Sequence, residues 1–223
     1  MFQSLGIILT SSRFDKEKEY LKKSIDRILL KSWDIKEKIE KIINASEELV
    51  DKNYSEFNLK VIDCSEGCGY CCILNIATLE PEVERIIYFI NRNFSDFEKI
   101  DLKKRIVEAY NSIFGLTDDE RIFLRKKCIF LDENLSCKIY PVRPIMCRAI
   151  TSTDRNRCIE SISQASLGEN LTILSNIYIK EIYFAAFNKI ADFLMKNNMD
   201  NRSADIVVWL KNKMDRIDGY DKL

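Results

Sequence analysis

Eight cysteines lie between Cys64 and Cys158, and the 223-residue chain contains no histidine. Without imidazole the protein lacks the commonest general base, proton shuttle and nitrogen metal ligand, which excludes Ser-His and Cys-His nucleophilic machinery. The chemistry left to it runs on sulfur, carboxylate, amine and phenol. In a reducing compartment a dense set of cysteines binds metal or does redox work rather than forming structural disulfides. The clustering therefore points to one metal site or two adjacent ones.

The first group reads Cys64-Ser-Glu-Gly-Cys68-Gly-Tyr-Cys71-Cys72. Cysteines this close in a glycine-containing turn can converge on one ion or cluster, since metal–sulfur bonds of about 2.3 Å require sulfur separations of only about 3.5–4 Å. Gly67 and Gly69 permit close backbone approach, which lets amide N–H groups point at sulfur. Neighbouring side chains diverge on a helix and alternate on a strand. One of Cys71 and Cys72 is therefore expected to face a second metal or to act as a structural or reactive thiol.

The second group, Cys128, Cys137, Cys147 and Cys158, is spaced nine, ten and eleven residues apart. Such spacing is weak by itself, because buried free cysteine behaves as a small hydrophobe. The surroundings strengthen it: from Arg121 to Cys158 nine basic residues stand against three acidic ones. Four thiolates around a divalent ion carry a net charge of −2, and nearby cations lower thiol pKa values and offset that charge. Few aromatic side chains accompany the basic residues beyond Phe130 and Tyr140, so charge compensation is favoured over phosphate-backbone binding. Arg143 and Arg148 flank Cys147 and are expected either to neutralise thiolates or hold a carboxylate, or, for one of them, to pair with an acid on a neighbouring helix.

The run from Cys128-Ile-Phe-Leu through Cys137-Lys-Ile-Tyr-Pro-Val-Arg-Pro-Ile-Met-Cys147-Arg148, preceded by Cys68-x-x-Cys71-Cys72, resembles the YkgJ-type cysteine-cluster family. That family is described as chelating zinc or iron and is related to flagellin lysine N-methylase. The resemblance covers about Cys64 to Cys158 and leaves both helical flanks outside it. This chain has three residues between Cys64 and Cys68 where the family pattern has two, which sets Cys64 apart from Cys68, Cys71 and Cys72. The segment Cys64-x3-Cys68-Gly-Tyr70-Cys71 also resembles the three-cysteine signature of radical S-adenosylmethionine enzymes, which hold a [4Fe–4S] cluster with one open iron. Those enzymes need a strand-rich partial barrel, which a chain with 6 Gly and long helical patterns does not suggest.

The elements that must position these cysteines are helical. Gly and Pro together make up only nine residues, too few for a loop-rich sandwich or barrel, and 46% hydrophobic residues supply a core and exclude disorder. Two amphipathic helices are expected over about 14–55, hinged at Ser32-Trp33. Further helices are expected from Pro81 to about Asn93, from Asp101 to Phe114, and from the Thr117/Glu120 capping box onward. The two short apolar runs around Asp132-Glu133-Asn134 read as a small β-hairpin, and Pro141 and Pro144 stiffen the approach to Cys147. A long helix is expected from Glu169 to Asn197 with a stripe of Ile173, Ile177, Phe184, Phe187, Ala191 and Leu194, followed by one capped by Ser203. The apolar run from Ile173 to Met195 is broken by four charges and cannot span a bilayer, and the first residues lack the pattern of a signal peptide. A cytoplasmic location is the simplest expectation.

The expected protein is mainly α, with a helical bundle-like body and a cysteine-rich, partly irregular insert containing the hairpin. Residues 1–60 form the amino-terminal helical pair, 61–160 the cysteine-cluster region and 161–223 the carboxy-terminal helices, packed as one domain. All-sulfur ligation selects zinc or iron, including a [4Fe–4S] cluster, over magnesium, calcium or manganese. The expected ligands are Cys64, Cys68, Cys71, Cys72, Cys128, Cys137, Cys147 and Cys158, with no residue singled out as catalytic. The methylase resemblance implies, as an alternative, an iron–sulfur group-transfer enzyme with Cys64, Cys68 and Cys71 around an open iron and a protein as substrate. A metal carrier is the third reading and requires solvent access to Cys71 and Cys72. Zero net charge gives no reason to expect nucleic acid or a membrane surface as partner.

Overall fold

The computed structural model describes residues 3–53, 62–65, 67–165 and 172–220, and it is mainly helical. Helices α1 (Gln3–Leu29) and α2 (Ile35–Lys52) form the expected pair on either side of Ser32-Trp33. α2 begins where Asp34 Oδ1 accepts the Glu37 N–H at 2.7 Å, and it buries Ile39, Ile42, Ile43 and Leu49 at helical spacing. α3 (Glu80–Asn93) opens with Pro81, as read from the sequence. α4 (Asp96–Ile113) starts earlier than expected, because Ser95 and Glu98 form a reciprocal capping box. Thr117 and Glu120 cap α5 (Asp118–Leu124) in the same way.

Four differences from the sequence expectations follow from tertiary contacts. The expected hairpin over 128–140 is reduced to one antiparallel bridge, Leu131 opposite Cys137, around a turn in which Asp132 Oδ1 accepts the N–H groups of Asn134 and Ser136. The two-stranded antiparallel sheet pairs β1 (Thr78–Leu79) with β2 (Ser203–Ala204). The long helix expected from Glu169 starts instead at Asn176, whose side chain caps α8 (Ile177–Lys196), while α6 (Ile145–Ala149) and α7 (Arg155–Ala165) precede it. Part of the Glu169 expectation lies outside the described residues. The buried face of α8 is Tyr178, Ile179, Ile182, Tyr183, Ala186, Ile190 and Leu194. Ile177 and Phe184 of the expected stripe are 64% and 40% exposed, so that stripe was offset around the helix. Ser203 lies in β2, and Asp205 opens α9 (Ile206–Tyr220) by accepting the Val207 N–H at 2.7 Å.

The core has two parts. One joins α1, α2 and α8 with Leu79, Ile145 and Ala149. The other joins α3, α4 and α9 with Ile129, Phe130 and Ile139, and Cys128 and Cys137 pack against it. Trp209 Nε1 donates to Thr78 O at 2.8 Å and ties α9 to the small sheet. The cysteine-bearing segments thus run between two apolar clusters that hold them from either side. No described helix is long and apolar enough to cross a membrane.

Candidate metal centre

The loops that carry the thiols are fixed by buried polar tethers. Glu82, 2% exposed, accepts the Leu79 N–H at 2.9 Å through one carboxylate oxygen and the Ile145 N–H at 2.7 Å through the other. The start of α6, the helix that carries Cys147, is thereby held against the start of α3. The Pro141 carbonyl accepts from Arg85 Nη2 at 3.1 Å and from Arg148 Nη2 at 2.9 Å. Arg85 pairs in turn with Glu40 and Arg148 with Glu47, both on α2. The Arg143-Pro144 turn is therefore fixed by α2, α3 and α6 together.

The two cysteine groups meet. The Cys128 N–H donates to Cys72 O at 2.7 Å, joining the first group to the second. Gly69 lies so close to the Leu131–Leu135 turn that a Cβ there would fall 2.6 Å from Leu131 Cδ1 and 3.1 Å from Leu135 O. At the other end Ser152 N donates to Cys64 Sγ at 3.2 Å, and Asp63 N donates to Ser152 O at 2.9 Å. Cys158 sits on α7, whose first turn is capped by Asp154.

The thiols line two adjoining cavities. Cys68, Cys71, Cys72, Cys128, Cys137 and Cys147 line the first, of about 390 Å³. Cys64, Cys68, Cys71, Cys147 and Cys158 line the second, of about 690 Å³. Cys68, Cys71 and Cys147 are the wall between them. As the side chains stand, no three cysteine, aspartate or glutamate groups among the described residues converge as a metal-holding set. The sulfurs ring the space rather than close on one point within it.

Burial favours the neutral form of Cys64, Cys128, Cys137 and Cys147 until a cation arrives. Burial pushes the Cys128 thiol up to about 12 and raises Cys64, Cys137 and Cys147, the last well above the usual thiol range. Cys71 is the exception. The 3-10 turn Tyr70–Ile73 brings the neighbouring thiols together, and a hydrogen bond from Cys72 lowers Cys71 to about 7 while raising Cys72. The divergence expected of adjacent side chains is thus overcome by the turn. Arg143 lowers Cys71, Cys137 and Cys147 through its charge, and Arg121 lowers Cys128.

The two expected arginines separate in role. Arg143 lies over the Tyr140 ring at 4.2 Å, lines both cavities and leaves its buried Nε–H without an acceptor among the described residues. Arg148 is buried, and its hydrogen bonds go to Glu47 and to the carbonyls of Pro141 and Arg143. Two further residues belong to the site. Glu82 reads in the sequence as an ordinary first-turn acid, and nothing local marks its bond to Ile145, 63 residues on. Arg121, inside the capping-box helix α5, forms a buried pair with Asp205 at 2.8 Å, yet its Nε–H also lacks an acceptor. An unmet buried donor costs about 1–3 kcal/mol.

The donor set fits zinc or iron: soft sulfur ligands, no imidazole, cationic neighbours, and orphaned N–H groups beside sulfur. An uncharacterized protein of Methanocaldococcus jannaschii is 33% identical over 82 residues, covering 36% of this chain and 40% of that protein. The chain thus spans about two fifths of the length of this relative. No solved structure matches. Residues 63–167, just under half of the chain, match the CxxCxxCC family, described as "Putative zinc- or iron-chelating domain", the cysteine-cluster family that the motif resembles.

Proposed function

We propose that the protein holds zinc or iron in the cavity ringed by Cys68, Cys71, Cys72, Cys128, Cys137 and Cys147, and that the centre is polynuclear, in the form of an iron–sulfur cluster. One observation carries this reading: six thiols from the two groups line a single cavity, whereas one tetrahedral ion takes four. Cluster sulfides accept hydrogen bonds, which gives the orphaned Arg143 Nε–H a partner. When bound, the centre supplies positive charge that turns the buried thiols into thiolates. Arg143 offsets part of the resulting negative charge, and the Glu82, Arg85 and Arg148 tethers keep the thiol loops in register. Ile206 and Val207 of α9 help wall this cavity, and Glu47, Val50 and Asp51 of α2 the adjoining one, which supports the stretches 1–60, 61–160 and 161–223 acting as one unit.

Anaerobic purification with metal analysis and a visible spectrum tests the reading. A brown protein with iron and acid-labile sulfide in equal amounts is expected. A colourless protein with stoichiometric zinc would overturn the cluster and leave a zinc-thiolate site. A protein that takes up neither metal would overturn both.

A further inference from the structure

The six-thiol cavity has a second, basic end. Arg105, Arg121, Lys126 and Lys127 line it, against Glu108 and Asp205. The cations there exceed the anions by two. The cavity, of about 390 Å³, has room for more than the metal.

The protein uses up only part of this positive charge. Lys126 and Lys127 are exposed at the cavity and carry no ion pair among the described residues, and Arg121, 8% exposed, spends one guanidinium arm on Asp205 while its Nε–H has no acceptor. Arg105 is held by Asp101 at 3.9 Å and by Leu131 O at 3.4 Å, which fixes it at the rim. Chain connectivity places this end beside the centre, since Lys126 and Lys127 immediately precede Cys128.

We infer that the basic end of this cavity binds an anionic ligand through a carboxylate or phosphate group, seated beside the metal centre. The inference rests on the proposed metal site in one respect, that the centre occupies the thiol end and leaves the basic end for the ligand. Guanidinium and ammonium groups together suit either oxyanion: the planar Arg fork matches both, and Lys acts as a point charge.

The test uses the full chain, anaerobically loaded with metal and assayed for metal content before and after. Thermal unfolding is followed while inorganic phosphate or acetate is added, with chloride at matched ionic strength as the control. A saturable rise in melting temperature with one anion is expected, as for any ligand that binds only the folded state. The Lys126→Gln/Lys127→Gln variant should keep its metal and bind that anion about tenfold more weakly. A response to acetate but not phosphate identifies a carboxylate ligand, and the reverse a phosphate. No saturable response to either anion with metal content intact overturns the inference and leaves the metal site standing, as does an equal response from the variant. If the protein holds no metal, the metal reading falls, and the same titration of the metal-free chain still decides this one: its basic end should bind the anion unaided, and failure to do so overturns the inference.

Discussion

Replacing Glu82 with Gln tests whether the thiol loops are held by this buried carboxylate. Both its oxygens accept backbone N–H groups that have no access to water, at Leu79 and Ile145. Gln keeps the shape but offers one acceptor oxygen and a donor amide, so one buried N–H is left unmet at a cost of about 1–3 kcal/mol that does not depend on pH. The wild-type carboxyl does depend on pH, because burial raises it from 4.5 to about 7. Between those values the unfolded chain is ionised there and the folded chain is protonated, so folding takes up a proton and stability falls as pH rises. A shift of this size is worth about 3 kcal/mol across the window. Below it the wild type carries a protonated carboxyl whose hydroxyl oxygen is a weaker acceptor, so it should exceed Glu82→Gln by at most about 1–3 kcal/mol; above it the gap should close or reverse. Urea unfolding of both proteins across the window, compared as a difference at each pH, cancels the shared titration of the thiols. A gap that stays constant or widens with rising pH would refute the reasoning.

Gly69→Ala should destabilise by about 1–3 kcal/mol, because its Cβ meets the buried Leu131 side chain and the Leu135 carbonyl. It should also lower metal content by moving Cys68 and Cys71, and unchanged metal content would show that the two loops can part without disturbing the site. Cys147→Ser should lower metal stoichiometry and melting temperature together, since Cys147 lines both cavities; full stoichiometry would remove it from the ligand set. Ser95→Ala removes the cap of α4 and should cost about 1 kcal/mol in a denaturation experiment while metal content stays unchanged.

Much of the helical frame was legible because its signals are local. Pro81 and the Thr117/Glu120 box mark the openings of α3 and α5 within a few residues of the helices they start. The misreadings share a different cause. Ile177 and Phe184 are as apolar as Ile182 and Tyr183, and which face of α8 is buried depends on where α1, α2 and α6 lie. Ser203 looks like a helix cap, but pairing with Leu79 draws it into a strand and hands the capping to Asp205, already engaged by Arg121. A pattern that specifies an element does not specify which of two equivalent faces or caps the rest of the molecule will claim.

For the site, the sequence marked the ligand types but not their arrangement. Cysteine count and spacing pointed to the two groups, yet their meeting depends on bonds between distant residues: Cys128 to Cys72, Ser152 to Cys64, Ile145 to Glu82. Each joins a backbone group to a partner whose own position is set by a helix, so no local pattern records it. The division of labour between Arg143 and Arg148 has the same origin. The two are five residues apart on a short stretch with one helical turn, and they point to different tasks because Glu47 and the Pro141 carbonyl satisfy Arg148, whereas no described acceptor meets the Arg143 Nε–H. An arginine each of whose guanidinium nitrogens has a partner within the fold acts as scaffold; one left with a buried free donor beside thiols can answer charge that arrives there. That contrast, rather than the shared Arg-x-x-x-x-Arg spacing, separates the residue that shapes the cavity from the one that faces its contents.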